Sequence, residues 1–302
     1  MSTIDLYNDE GFVATELLPS VISGTNATFK LGKVLRQGGN GIVLEANRRA
    51  AGGNNLGKCA VKFLKHLGAS RADRFQNEAR VLEQLDHHRI SKYFANGAIQ
   101  LGPHKVPWIA LELGGENLRR HVDANGPLAS HVLQAVAIQA AQAIGHLHSI
   151  GFIHRDVKPE NFVWDGAAPE SIQMIDFGLA KRVGEDVSAR PLDQFTQQAE
   201  FVGPVFFSSP ELIAYATNKA ESVDERSDLF QLGKTLWYLA TGRISAGCPN
   251  ARHCPMGGAL HRLVVELLDD DPDGRPATAL EVEKRLHTVF GVGQQAPVSV
   301  GP

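Results

Sequence analysis

The stretch from Ile153 to Gly178 concentrates groups able to do chemistry. It carries Asp156, Lys158, Asn161 and Asp176: two carboxylates, an amine and an amide, separated by short apolar runs. Oxygen donors of this kind suit Mg²⁺, which binds through one or two carboxylates together with substrate phosphates. A lysine adds a mobile positive charge for a phosphoryl group in transfer. The set reads as one that holds a divalent metal and a polyphosphate beside a base.

Order and spacing add to this. His154-Arg155-Asp156, then Val157 to Asn161, then Asp176-Phe177-Gly178 resembles the catalytic loop and metal-binding motif of eukaryotic-like protein kinases of the serine/threonine type. The resemblance implies an α+β, bilobal protein kinase fold, with a small antiparallel β-rich N-lobe and a larger helical C-lobe. It implies ATP as phosphoryl donor with Mg²⁺, or Mn²⁺ in its place. Asp156 would accept the substrate hydroxyl proton or orient that hydroxyl, Lys158 would neutralise charge on the γ-phosphoryl, and Asn161 and Asp176 would hold metal.

The elements that must position these groups follow along the chain. Residues 1–28 are weakly patterned and read as an N-terminal arm, packed on the domain or partly disordered. Strand-like alternation begins at Phe29 and Leu31. Leu35-Arg36-Gln37-Gly38-Gly39-Asn40-Gly41-Ile42-Val43 is glycine-rich, and glycines let backbone N–H groups approach phosphates. It resembles the kinase glycine-rich loop, with Arg36 where the first glycine usually stands. The run Cys59-Ala60-Val61-Lys62 resembles the family's strand that carries the phosphate-binding lysine.

Helical spacing over Arg71 to Leu85 places Glu78 inside an apolar stripe with Phe75, Ala79 and Leu82. A carboxylate on a buried face needs a cation. Lys62 is the partner that the resemblance implies. Two further strands, Tyr93 to Gln100 and Val106 to Leu113, lead to Gly114 and Gly115. By resemblance this linker is the hinge, with Leu111 as gatekeeper and backbone groups of Glu112 and Gly114 reading the adenine edge. Glu116 would reach the ribose, and Val163 would lie beneath the adenine opposite Val43 and Ala60.

In the second half, Ser130 to Ser149, Ser227 to Thr241 and Ala259 to Leu268 show helical periodicity. Thr278 and Glu281 form a capping box that opens a last helix, ending near Phe290. The resemblance assigns Leu179 to Ser208 to the activation segment and pairs Arg275 with Glu211. Asp228 would hold the backbone of the catalytic loop. Arg155 implies a negative group on the activation segment, with Glu200 a built-in one and Thr196 the rival phosphosite. Pro204 stands where the family usually has a threonine, and Ser209 where it has alanine. Asn161-Phe162 and Ile175 to Arg182 resemble the casein-kinase-1 branch, whereas Pro210-Glu211 departs from it.

The kinase-like region covers 29–290, as an N-lobe over 29–113 and a C-lobe over 114–290, with 291–302 as a tail. A net charge of −3 gives no reason to expect nucleic acid or a membrane surface as partner. The three cysteines are too few for a disulfide framework. Cys248, His253 and Cys254 do not supply four zinc ligands and read as a loop. The N-terminus lacks the apolar run of a signal peptide, and no run is long enough to span a bilayer. The expectation is a cytoplasmic enzyme, or a piece of a longer chain. It would phosphorylate serine or threonine in a protein substrate, with autophosphorylation as a further outcome. Phosphorylation of a non-protein substrate and a nucleotide-binding pseudokinase scaffold are the alternatives.

Overall fold

The computed structural model describes residues 2–38, 41–165, 171–183, 206–218, 222–245, 249–254 and 257–291. The chain forms two units, one of Met1–Gly115 with Ile175–Ala180, the other of Glu116–Met174 with Lys181–Pro302. Period-two alternation builds the first. Strands β3 (Val21–Ser23), β4 (Ala27–Gln37), β5 (Gly41–Ala50), β6 (Asn55–Leu64), β7 (Tyr93–Leu101) and β8 (His104–Leu111) form one antiparallel sheet in the order β3-β4-β5-β6-β8-β7. Ile42, Leu44 and Ala46 of β5 and Cys59, Val61 and Phe63 of β6 turn into the core with Phe29 and Trp108. On the other face lies helix α1 (Ala69–Leu82), whose Phe75 and Ala79 pack with Leu64 and Ile109.

Residues 2–28 are not an appendage to this unit. β1 (Thr3–Asn8) and β2 (Gly11–Leu17) form an antiparallel hairpin, and β3 joins the main sheet. Ile4 and Leu6 are fully buried in the same core as Phe29. The boundary expected at residue 28 therefore has no counterpart in the packing. The segment escaped the pattern because β2 buries none of its seven residues and β3 is three residues long.

The second unit is mainly helical: α2 (Leu118–Asn125), α3 (Ser130–Ser149), α4 (Pro210–Asn218), α5 (Arg226–Thr241), α6 (Gly257–Leu267) and α7 (Ala279–Val289). Short antiparallel pairs β9 (Phe152–Ile153) with β12 (Lys181–Arg182), and β10 (Phe162–Trp164) with β11 (Ile172–Met174), frame the loop between them. The predicted apolar stripe of α3, Leu133 to Leu147, is buried. Helix α5 is buried on most sides and stops at Gly242, whose φ of 66° is left-handed. Thr278 caps α7 by accepting from the Glu281 N–H, but Glu281 returns to the N–H of Ala277, one residue earlier than a capping box requires.

Arg275 donates to both oxygens of Glu211 at 2.7 and 2.9 Å, and both side chains are buried. Removing one member of such a pair strands a charge. Arg275→Met is expected to lower stability by about 3–5 kcal/mol, and Glu211→Leu/Arg275→Met to recover most of it. Urea unfolding of the single and double variants decides this; equal losses in both would refute it.

Candidate active site

In the second unit the site begins with a buried carboxylate. Asp228, near the start of α5, accepts from the backbone N–H groups of His154 and Arg155 at 2.8 Å each, and pairs with His148 Nε2 at 2.8 Å. Gln231, one turn on, accepts from Val157 N–H and donates to the Arg155 carbonyl. These bonds hold Arg155 at a φ of 67°, a left-handed conformation that a residue with a Cβ adopts only when its surroundings enforce it. Burial alone would drive the Asp228 carboxyl up, but His148 and the His154 N–H outweigh it and hold it below the usual carboxylate range.

On that loop Asp156 receives Lys158 Nζ at 2.8 and 2.7 Å, one bond to each carboxylate oxygen. Asn161 Nδ2 donates to the same carboxylate at 2.9 Å and to the Asp156 carbonyl at 2.8 Å. Three of the predicted residues are thus gathered around one carboxylate. The Asn161 amide commits its nitrogen to Asp156, which leaves its oxygen as a donor for a hard cation.

The first unit gathers the other three. Lys62 Nζ lies 2.7 Å from Glu78 Oε2 and 3.8 Å from Asp176 Oδ1. Glu78 is buried on α1 and Lys62 comes from β6. Burial works to lower the Lys62 pKa, but the charges of Asp176 and Glu78 outweigh it, so the ammonium stays protonated well above its usual range. Burial pushes the Glu78 carboxyl upward, Lys62 opposes this and Asp176 adds to it. Asp176 has a φ of 66°, and Asn77 Nδ2 donates to the carbonyls of Gly178 and Ala180 at 3.4 and 2.8 Å. One turn of α1 therefore positions both the Lys62 partner and the backbone after Asp176.

The protein kinase domain pattern matches residues 29–253. The chain belongs to the protein kinase family. It is 29% identical over 243 residues to a protein called serine/threonine-protein kinase PknB of Mycobacterium leprae, covering 74% of this chain and 37% of that protein. The protein of the same name from Mycobacterium tuberculosis is 30% identical over the same shares. A probable serine/threonine-protein kinase of Corynebacterium efficiens is 30% identical over 71% of this chain and 31% of its own length. The matches thus span only about a third of the length of these relatives. The α+β kinase fold expected from the motifs, with an antiparallel sheet in the first half and helices in the second, is the one observed.

Within this kinase domain the residues expected to meet a nucleotide fall out as follows. Val43 pairs with Lys62, and Ala60 with Leu111. Directly opposed residues share a sheet face, so Val43, Ala60, Lys62 and Leu111 lie on the face opposite the Ile42–Phe63 core. Leu35 is exposed, and Gly38 donates to the Gly41 carbonyl at 3.0 Å. Gly41 admits no side chain, since a Cβ would come 2.6 Å from the Phe63 carbonyl oxygen. Gly39 lies outside the described residues. Glu112 gives its N–H to the Lys92 carbonyl at 2.8 Å, so that N–H is already engaged within the sheet unit. Gly114 lies one residue before the Gly115 limit of the first unit, while Glu116 opens the second, exposed and 3.8 Å from His121. Val163 is buried in the second unit, bridged to Asn117.

Other expectations meet the structure in part. Thr196, Glu200 and Pro204 lie outside the described residues. Arg155 is buried with its guanidinium 4.9 Å from the Tyr215 ring centroid. Ser209 shares a 2.7 Å hydrogen bond with Ser227, a use for its hydroxyl that alanine lacks. Cys248 lies outside the described residues, and among the described residues no group of three or more His, Cys, Asp or Glu side chains is placed to hold a metal ion. No helix among them is long and apolar enough to cross a membrane. Asn77, His148 and Gln231 escaped sequence reasoning. Each is a polar residue on a helix whose partner lies some 75 to 100 positions away, with no local signal beyond its place beside or near a motif residue.

The Lys62–Glu78 pair makes a test of its own. Lys62→Met is expected to reduce phosphoryl transfer by about 10²–10³-fold. Its stability cost should stay below the ~3–5 kcal/mol of a stranded buried charge, because the upward-shifted Glu78 carboxyl can take up a proton. Lys62→Met/Glu78→Gln should then be as stable as the single variant and no more active. Urea unfolding of the two variants reads this: a single variant less stable than the double by about 3–5 kcal/mol would contradict it.

Proposed function

We propose that this chain is a protein serine/threonine kinase, transferring the γ-phosphoryl of ATP to a serine or threonine hydroxyl. The observation that carries the reading is the Asp156 carboxylate, held by Lys158 and Asn161 on a loop anchored by Asp228. A carboxylate so placed takes or orients a hydroxyl proton, and Lys158 beside it supplies positive charge to the transferring group. Asn161 and Asp176 offer the oxygen donors that would hold Mg²⁺ or Mn²⁺. Bound there, the cation would neutralise charge on the phosphates. Lys62, kept cationic by Glu78 and Asp176, would meet the α- and β-phosphates. Val43, Ala60, Leu111 and Val163 would flank the adenine, and Leu35, Gly38, Gly39 and Gly41 would cover the phosphates.

Serine or threonine is favoured over tyrosine by Lys158, two residues past Asp156, and by the names of the relatives. A cytoplasmic setting, where ATP is supplied, and autophosphorylation belong to the same proposal. So do the lobe boundary at 113–114 and the end of the domain at 290.

The test is transfer of label from ATP with Mg²⁺, offered to protein and small-molecule acceptors, followed by mass spectrometry of the chain itself, beside Asp176→Ala. Label on serine or threonine, lost in Asp176→Ala, is the expected result. Label confined to small molecules would replace the protein acceptor, a reading motivated by Pro204. Nucleotide binding without any transfer would favour a scaffold.

A further inference from the structure

Helix α1 carries both Glu78 and Asn77, yet its N-cap residue supplies no side-chain hydrogen bond to the helix start. Its N-cap is Gly68, and its first turn holds no acidic residue. The first N–H groups of a helix need acceptors, and negative charge there is favourable. The carboxylate of Asp9 stands at this point. A Cβ on Gly68 would collide with it, falling 2.7 Å from Asp9 Cγ and 2.9 Å from Oδ2. Gly68 is buried, and the absence of its side chain makes room for Asp9.

Asp9 is carried there by a built structure. It sits in the turn between β1 and β2, where Asn8 Oδ1 accepts from the N–H groups of Glu10 and Gly11 at 2.9 and 3.0 Å, and Gly11 has a φ of 128°. The end of β1 is sewn to the segment that leads into α1. Tyr7 N–H donates to the Lys65 carbonyl at 2.9 Å, and Leu67 N–H to the Tyr7 carbonyl at 2.8 Å. The Tyr7 ring stacks on His66 with centroids 5.0 Å apart. Behind them Ile4 and Leu6 are fully buried. The hairpin is thus fixed in the core at one end and against the start of α1 at the other.

We propose that Asp9 is a positioning residue for phosphoryl transfer: the N-terminal hairpin docks the start of α1 and so sets where that helix presents Glu78 to Lys62. Glu78 lies ten residues past Gly68, about 15 Å along a rigid helix, so a tilt at the start is carried to the pair. The inference rests on the kinase reading, but two of its three readouts do not need turnover.

Asp9→Ala, Asp9→Asn and a control, Glu10→Ala, are compared in the full chain. Hydrogen exchange of the α1 amides, the Kd for a non-hydrolysable ATP analogue with Mg²⁺, and kcat are measured. Asp9→Ala is expected to speed exchange in the first turn of α1 about fivefold, the size of a lost cap. It should also weaken analogue binding or lower kcat by a similar factor. Asp9→Asn should restore most of the loss, because its amide oxygen can occupy the same place beside Gly68, and Glu10→Ala should match the parent. Unchanged exchange in Asp9→Ala would overturn the docking. Faster exchange with Kd and kcat both unmoved would reduce Asp9 to a plain helix cap and overturn the positioning role. A parent chain that binds the analogue but transfers nothing would count against the kinase reading alone, and Kd would still decide this one.

Discussion

Asp156→Asn is expected to lower the rate of phosphoryl transfer by about 10²–10⁴-fold, the usual contribution of a positioned general base. The substitution keeps size and shape, so Lys158 and Asn161 retain an oxygen to bond. What is lost is the negative charge that three donor contacts converge on. An amide can neither take a proton from an alcohol nor balance the Lys158 ammonium 2.7 Å away. The loss should therefore appear in kcat, while the affinity for ATP, which the proposed function assigns to Lys62 and its partners, stays close to the parent value. Steady-state kinetics with labelled ATP separate the two. A variant within tenfold of the parent kcat would mean that Asp156 does not handle the hydroxyl proton.

Asp228→Ala is expected to have the largest effect on stability. It removes the acceptor of three donors at once, the N–H groups of His154 and Arg155 and the His148 ring. Each stranded buried donor costs about 1–3 kcal/mol, so the total is roughly 5 kcal/mol, as large as the whole stability of many domains. Asp228→Asn keeps one accepting oxygen and should cost about 2 kcal/mol, giving a variant that folds and can be assayed. It should also lose activity, because Arg155 at a φ of 67° and Asp156 beside it depend on those bonds. Urea unfolding and transfer assays of both variants report this; an Asp228→Asn chain with parental stability and kcat would refute it.

The same residue sets a dependence on pH. Its carboxyl is held below the usual range in the folded chain, so it stabilises the fold fully above the unfolded value of about 3.9. That contribution is lost as pH falls from there through the lower folded pKa. The stability difference between the parent and Asp228→Asn should therefore be constant at neutral pH and shrink only at strongly acid pH.

Much of the site could be read from local sequence because its chemistry is local. Asp156, Lys158 and Asn161 fall within six residues, and the loop that holds them is too short for them to be far apart. Glu78 was legible for a different reason: a lone carboxylate inside the apolar stripe of Phe75, Ala79 and Leu82 demands a cation. The choice of Lys62 among the cations came from resemblance to a family, not from spacing. The hairpin of residues 3–17 was not legible, since β2 shows no buried alternation and its anchor points, Ile4 and Leu6, are two apolar residues among polar ones.

By itself, then, the order of residues determined which groups are candidates for the chemistry, the helices and strands whose periodicity buries one face, and the family. The role of Asp228 was implied by resemblance, but tertiary structure alone decided the other contacts that hold those groups still. His148 reaches forward 80 residues to Asp228, Asn77 reaches forward 103 to Ala180, and Asp9 meets Gly68 from the far end of a hairpin. Such partners leave no periodic trace, because a polar residue that satisfies a distant backbone group looks in sequence like one that faces water. Only the folded chain, by burying it, shows which of the two it is.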